Sequence, residues 1–159
     1  MSWFNYYGLI FIVLIMLPNI VYSIKNKNSI TNNYTNKIAE IFEQIGRYAC
    51  MAFMIFNIPY TWFGFYFDYA NIVYIVVNSA LVTAYCIIWI ILWNKDGMLK
   101  SLLLSILPSL VFIFSGVITA SIPLIIFAII FAVTHILISV KNTPKNINCP
   151  IFNCKLLKK

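Results

Sequence analysis

Charge is scarce in this chain of 159 residues: there are four acidic side chains, one arginine and one histidine, and 9% of residues are charged in all. A soluble domain carries about 25%. So little charge excludes a soluble globular fold, because too few polar side chains exist to cover a water-facing surface. Intrinsic disorder is excluded as well, since it needs low hydrophobicity and high net charge. Metal-ligand sets are also missing. His135 has no second histidine, and Cys149 and Cys154 have no further ligand beside them in sequence. They read as free thiols, and Cys50 and Cys86 as small apolar packing residues. No phosphate-cradling glycine loop, nucleophile elbow, HExxH or pair of carboxylates in an apolar segment occurs. No catalytic residue, cofactor or metal is therefore assigned, and a non-enzymatic protein is the expectation.

Hydrocarbon is abundant. Hydrophobic residues make up 62% of the chain, and the mean hydropathy is +0.90. Charge-free stretches cover residues 1–24, 48–67, 69–94 and 101–140. About 20 apolar residues cross a bilayer as a helix. The first three stretches fit one crossing each. The fourth is long enough for two, and its middle reads Thr119-Ala120-Ser121-Ile122-Pro123. Proline suits the first turn of a helix and not its interior, so a tight hairpin is expected there. The expected fold is an all-α bundle of five transmembrane helices, near 3–24, 46–67, 70–93, 100–119 and 122–140. The first stretch lacks a basic leader and its apolar run is too long for a signal peptide, so it reads as a retained helix.

Orientation follows from the cations. All eleven lysines and arginines fall within 25–47, 94–100 and 141–159. Five crossings put those segments on one side, which places the N-terminus outside and the C-terminus in the cytoplasm. Trp3, Trp62 and Trp93 lie near expected span ends, as interfacial aromatics do. The net charge of +7 reads as a topology signal and as attraction of the basic tail for anionic headgroups, not as nucleic-acid binding. The expected partners are the lipid bilayer and other membrane subunits or further copies of the chain. Plentiful Ile, Asn and Lys beside a single Arg point to an AT-rich bacterial source, hence to the plasma (inner cell) membrane.

Residues 26–36 form a polar loop of turn-forming residues. From Lys37 the pattern changes. Ile38, Ile41, Phe42 and Ile45 recur at helical spacing, with Lys37, Glu40, Glu43 and Gln44 opposite them. Glu43 precedes Arg47 by four, a favourable helical ion pair. Two readings fit. One is a short amphipathic helix over 37–45 at the cytoplasmic interface, joined to the second span at Gly46. The other is a second span that starts early and protrudes.

Polar residues within the expected spans are the candidate site. Residues 10–26 and 126–142 align without gaps and share Ile, Phe, Ile, Ser, Lys and Asn. The echo marks two polar stripes of the same spacing, Asn19, Ser23 and Asn26, and His135, Ser139 and Asn142. Asn19 and His135 sit at matching depth, and Arg47 opens the second span. A cytoplasm-facing polar pocket of Asn19, Ser23, Arg47, His135 and Ser139 is expected, suited to an anion or a lipid headgroup. Asn57 and Asn78 match in depth and are expected to hydrogen-bond each other, since an unpaired amide in hydrocarbon costs a few kcal/mol. Pro59 and Pro108 are expected to kink their helices. Ser101, Ser105, Ser109 and Gly116 suit close helix packing. No carboxylate falls inside an expected span, which argues against ion-coupled transport through acidic side chains.

The leading expectation is a small accessory subunit of a membrane assembly, with transport as one setting. The alternatives are a self-associating carrier or channel for a small solute or lipid, built on the Asn19/Arg47/His135 layer, and a membrane-bound enzyme using His135.

Overall fold

The computed structural model describes residues 3–25, 36–58, 61, 63–65, 67–93 and 97–142. Asn26, Pro59, Trp62, Cys149, Cys154 and the basic tail lie outside the described residues. Five helices form: α1 Tyr6–Lys25, α2 Lys37–Ile55, α3 Ala70–Ile91, α4 Met98–Ile118 and α5 Ile122–Asn142. The described residues contain no strand. Helices α1, α3, α4 and α5 are each long and apolar enough to cross a membrane. Helix α2 has a similar length, about 28 Å, but carries Lys37, Glu40, Glu43 and Arg47.

The helices close into a ring in the order α1, α2, α5, α4, α3 and back to α1, with α2 and α4 also touching across it. Large apolar side chains point outward from every helix, among them Ile10, Ile72, Leu110 and Val133. Polar side chains point inward, with Asn78, Ser105, Ser109 and Ser115 all buried. This is the reverse of a water-soluble bundle and is the distribution a hydrocarbon solvent selects.

Helix α2 departs from the expected 46–67 span and from a separate 37–45 helix. It runs unbroken from Lys37 to Ile55. Asn36 starts it, its side-chain oxygen accepting from the Ile38 and Ala39 amides. Gly46 is not a joint. A Cβ there would lie 3.0 Å from the Cβ of Phe131, so the glycine lets α2 and α5 approach closely. The helix stops at Ile55 because the next residues pair elsewhere. The Asn5 amide donates to the Ile55 carbonyl at 2.7 Å, and the Asn57 amide to the Trp3 carbonyl at 2.9 Å. Ile58 precedes a proline and disfavours helix as well. Residues 3–5 thus lie antiparallel to the end of α2. Gly8 sits on the same seam, where a Cβ would come within 2.3 Å of the Met54 carbonyl oxygen.

The inward face of α2 also differs from expectation. Ile38, Ile41, Phe42 and Ile45 are exposed, whereas Glu43, Gly46, Cys50 and Met54 are buried. The apolar stripe therefore faces outward and Glu43 turns into the bundle, so a carboxylate does lie inside it. The physical reason is the unbroken helix. With no bend at Gly46, the buried stripe of Met54, Cys50 and Gly46 continues to Glu43.

Helices α4 and α5 turn back on each other at 119–121. Ala120 has φ 49°, the left-handed conformation that ends many helices. The Ser121 amide donates to the Gly116 carbonyl at 2.9 Å. A Cβ on Gly116 would meet Ile125 at 2.9 Å, so the two helices touch directly below the turn. Pro123 falls in the first turn of α5.

Candidate functional site

A cavity of about 200 Å³ lies inside the ring, and every helix contributes to its wall. Helix α1 brings Asn19, α2 brings Arg47 and Met51, α3 brings Tyr85, and α5 brings His135 and Phe131. Helix α4 contributes Leu104, Pro108 and Phe112. Pro108 has no amide hydrogen, so the carbonyl of Leu104 lacks its usual donor one turn on.

The polar side of the cavity is built by α2 and α5. Glu43 and Arg47, one turn apart, form an ion pair. His135 Nδ1 lies 2.9 Å from Glu43 Oε1, and its ring stacks on Phe131 at 4.7 Å between centroids. Arg47 and His135 both line the cavity, whereas Glu43 sits behind them. A guanidinium in contact favours the carboxylate form of Glu43. His135 then donates through Nδ1–H, which makes Nε2 of a neutral ring an acceptor. Tyr85 is buried, and its hydroxyl lies in range of Asn19, Trp89 and the Arg47 charge. The Asn19 amide donates to the Ile15 carbonyl at 3.1 Å.

Asn19, Arg47 and His135 are thus brought together. Ser23 is not: it is exposed near the end of α1 and does not line the cavity. Ser139 is engaged by α4. Its carbonyl accepts from Ser101 Oγ at 2.7 Å, and its hydroxyl accepts from Ser105. Asn57 and Asn78 do not pair. Asn78 donates to Ser115 Oγ at 3.1 Å instead, with neither side chain reaching the surface. Asn57 lies beyond the end of α2, held by its backbone to Trp3, and lines a narrow crevice that Ser115 also lines.

Two polar features are not legible in the spans. Glu43 is one, although Glu43, Gly46, Arg47 and Cys50 recur at helical spacing, and small residues on such a stripe mark a buried seam. Lys100 is the other. Its Nζ is drawn inward to 4.6 Å from the ring of Tyr22 and 5.5 Å from that of Trp89. It also donates to the Trp93 carbonyl at 3.3 Å. Lys25 lies over the Trp93 ring at 5.6 Å. Cations over aromatic faces at such distances are attractive.

Comparison with protein-family models, curated proteins and solved structures finds no match to this chain.

Proposed function

We propose that this protein is a five-span membrane protein, N-terminus outside and C-terminus in the cytoplasm, that binds a small amphiphilic molecule within its ring of helices. The observation that carries the binding reading is the central cavity, where Asn19, Arg47 and His135 from three helices meet apolar walls. Ligand pockets combine a mostly apolar lining with a few convergent polar groups. The cavity occupies one level of the bundle, which favours a binding site over a continuous channel.

Two features support α2 as the fifth crossing. Its charged groups Glu43 and Arg47 pair with each other inside the bundle while its apolar stripe faces out. It also runs antiparallel to α5 along its length, with Glu43 beside His135 and Gly46 beside Phe131. Lys37 and Lys141 then flank the Glu43–His135 pair, each six residues, or about 9 Å, away along its helix. The helix ends bearing Lys25, Lys37, Lys100 and Lys141 fall at one end of the ring, the arrangement the positive-inside rule assigns to the cytoplasm.

A second reading, a subunit of a larger assembly, draws on Gln44. This amide is exposed on α2 beside the apolar stripe, where a polar group on a neighbouring chain would suit it better than lipid. Native mass spectrometry of protein gently extracted from its membrane separates the two. A discrete small molecule on a monomer or homo-oligomer supports the binding reading. A complex with other chains and an empty cavity supports the subunit reading. A reporter that works only outside the cytoplasm, fused after Lys159, is expected to be silent, and activity there would overturn the five-span topology.

A further inference from the structure

Arg47 alone would make the cavity a site for an anion. Glu43 changes that, because it sits directly behind the guanidinium and neutralises it. Charge is balanced before any ligand arrives. An anionic head would have to displace Glu43 from Arg47 or enter with no free counter-charge to pair it, and both are costly. His135 is also partly committed. Its Nδ1 is bound to Glu43, so the ring meets a ligand through Nε2, a lone-pair acceptor. A carboxylate behind an imidazole fixes the tautomer and strengthens the other nitrogen as an acceptor. On the facing wall the Tyr85 hydroxyl and the Asn19 amide are polar groups of neutral type.

We infer that the cavity selects an uncharged amphiphile with a hydroxyl head, which donates to His135 Nε2 and lays its apolar body against Met51, Phe112 and Phe131. This rests on the binding reading given above and specifies its ligand class. Size narrows the class further. A cavity of about 150 Å³ holds benzene, so about 200 Å³ suits one ring with a small substituent, or a short-chain alcohol. A membrane-embedded cavity also favours such a ligand, because uncharged amphiphiles dissolve in the bilayer and need not cross a charged surface to reach it.

The lone histidine gives a direct probe. Full-length protein labelled with 15N-histidine in lipid nanodiscs has a single imidazole, so both ring nitrogens are read without ambiguity. In the absence of probe, Nδ1 is expected to be the protonated nitrogen and Nε2 the bare one. The probes are 4-ethylphenol, its methyl ether 4-ethylanisole, and 4-ethylbenzoate. They match closely in body and differ in head. 4-Ethylphenol is expected to shift the Nε2 resonance saturably, and 4-ethylanisole to do so about tenfold more weakly, the scale of one hydrogen bond. 4-Ethylbenzoate is expected to be weakest. Equal binding of the phenol and its ether overturns the acceptor role of Nε2. Tightest binding by 4-ethylbenzoate overturns the neutral-ligand inference and leaves the cavity as a binding site for anions. Failure of all three probes to shift His135 saturably overturns the inference together with the binding reading beneath it.

Discussion

Glu43 is the residue on which the polar interior depends. It receives the Arg47 guanidinium and the His135 ring on one oxygen, and its side chain is 9% exposed. Glu43→Gln leaves Arg47 without its counter-charge. Removing one partner of a buried pair costs about 3–5 kcal/mol, and because Arg47 is 31% exposed the lower end applies. Unfolding in mixed micelles is expected to show a loss of about 3 kcal/mol, with much of it regained in Glu43→Gln/Arg47→Met, where no unpaired charge remains. A single substitution that costs nothing would show the pair to be solvated. Ala120 offers the opposite case. A non-glycine residue at φ 49° carries steric strain that glycine lacks. Ala120→Gly is expected to stabilise the α4–α5 turn by about 0.5–1 kcal/mol, read as a raised unfolding midpoint.

At the scale of elements, the polar contacts between helices are few and specific. Asn78 and Ser115 join α3 to α4 in a buried pair. A double-mutant cycle of Asn78→Val and Ser115→Ala is expected to return a coupling of about 0.6 kcal/mol, the usual size between membrane helices. A coupling near zero would mean each group is satisfied independently. How much of this was legible in sequence depends on the physical signal involved. The number of helices and the place of the 119–121 turn follow from long charge-free stretches and from Pro123, because charge is costly in an apolar helix and proline suits a helix's first turn. Matching depth along the helices suffices to suggest that Asn19, Arg47 and His135 share a level. Rotation of a helix about its axis is a weaker signal. The apolar stripe of α2 looks the same whether it faces a core or lipid, and only packing around Gly46 and Cys50 decides that Glu43 faces in. Partner choice is weaker still. Asn57 and Asn78 match in depth, yet α2 ends before Asn57 and Ser115 lies closer to Asn78.

At the scale of the molecule, the ring turns large apolar side chains of all five helices outward and buries Asn78, Ser105, Ser109 and Ser115. Residues 3–5 are bonded to the end of α2, so this short segment ahead of α1 is part of the bundle. A bulky fusion joined directly ahead of Trp3 is expected to lower the unfolding midpoint, whereas the same fusion separated by a flexible linker leaves it unchanged. Equal midpoints in the two fusions would show that the Trp3–Asn57 and Asn5–Ile55 bonds add nothing to stability.

The order of helices around the ring differs from their order in the chain, and that difference acts during synthesis. Helix α2 emerges second, but its neighbour α5 emerges only fifth. Until then the face of α2 that carries Glu43 and Arg47 has no wall on that side, and His135 has not yet been made. A charged pair left without its packing wall is costly and draws the attention of the cell's quality control. Ribosomes that stop after α4 would release a chain whose ring cannot close. A gene truncated after residue 118 is therefore expected to yield protein that is degraded soon after insertion, and co-expression of 119–159 as a separate segment is expected to restore its lifetime. Closure of the ring therefore waits on the arrival of α5.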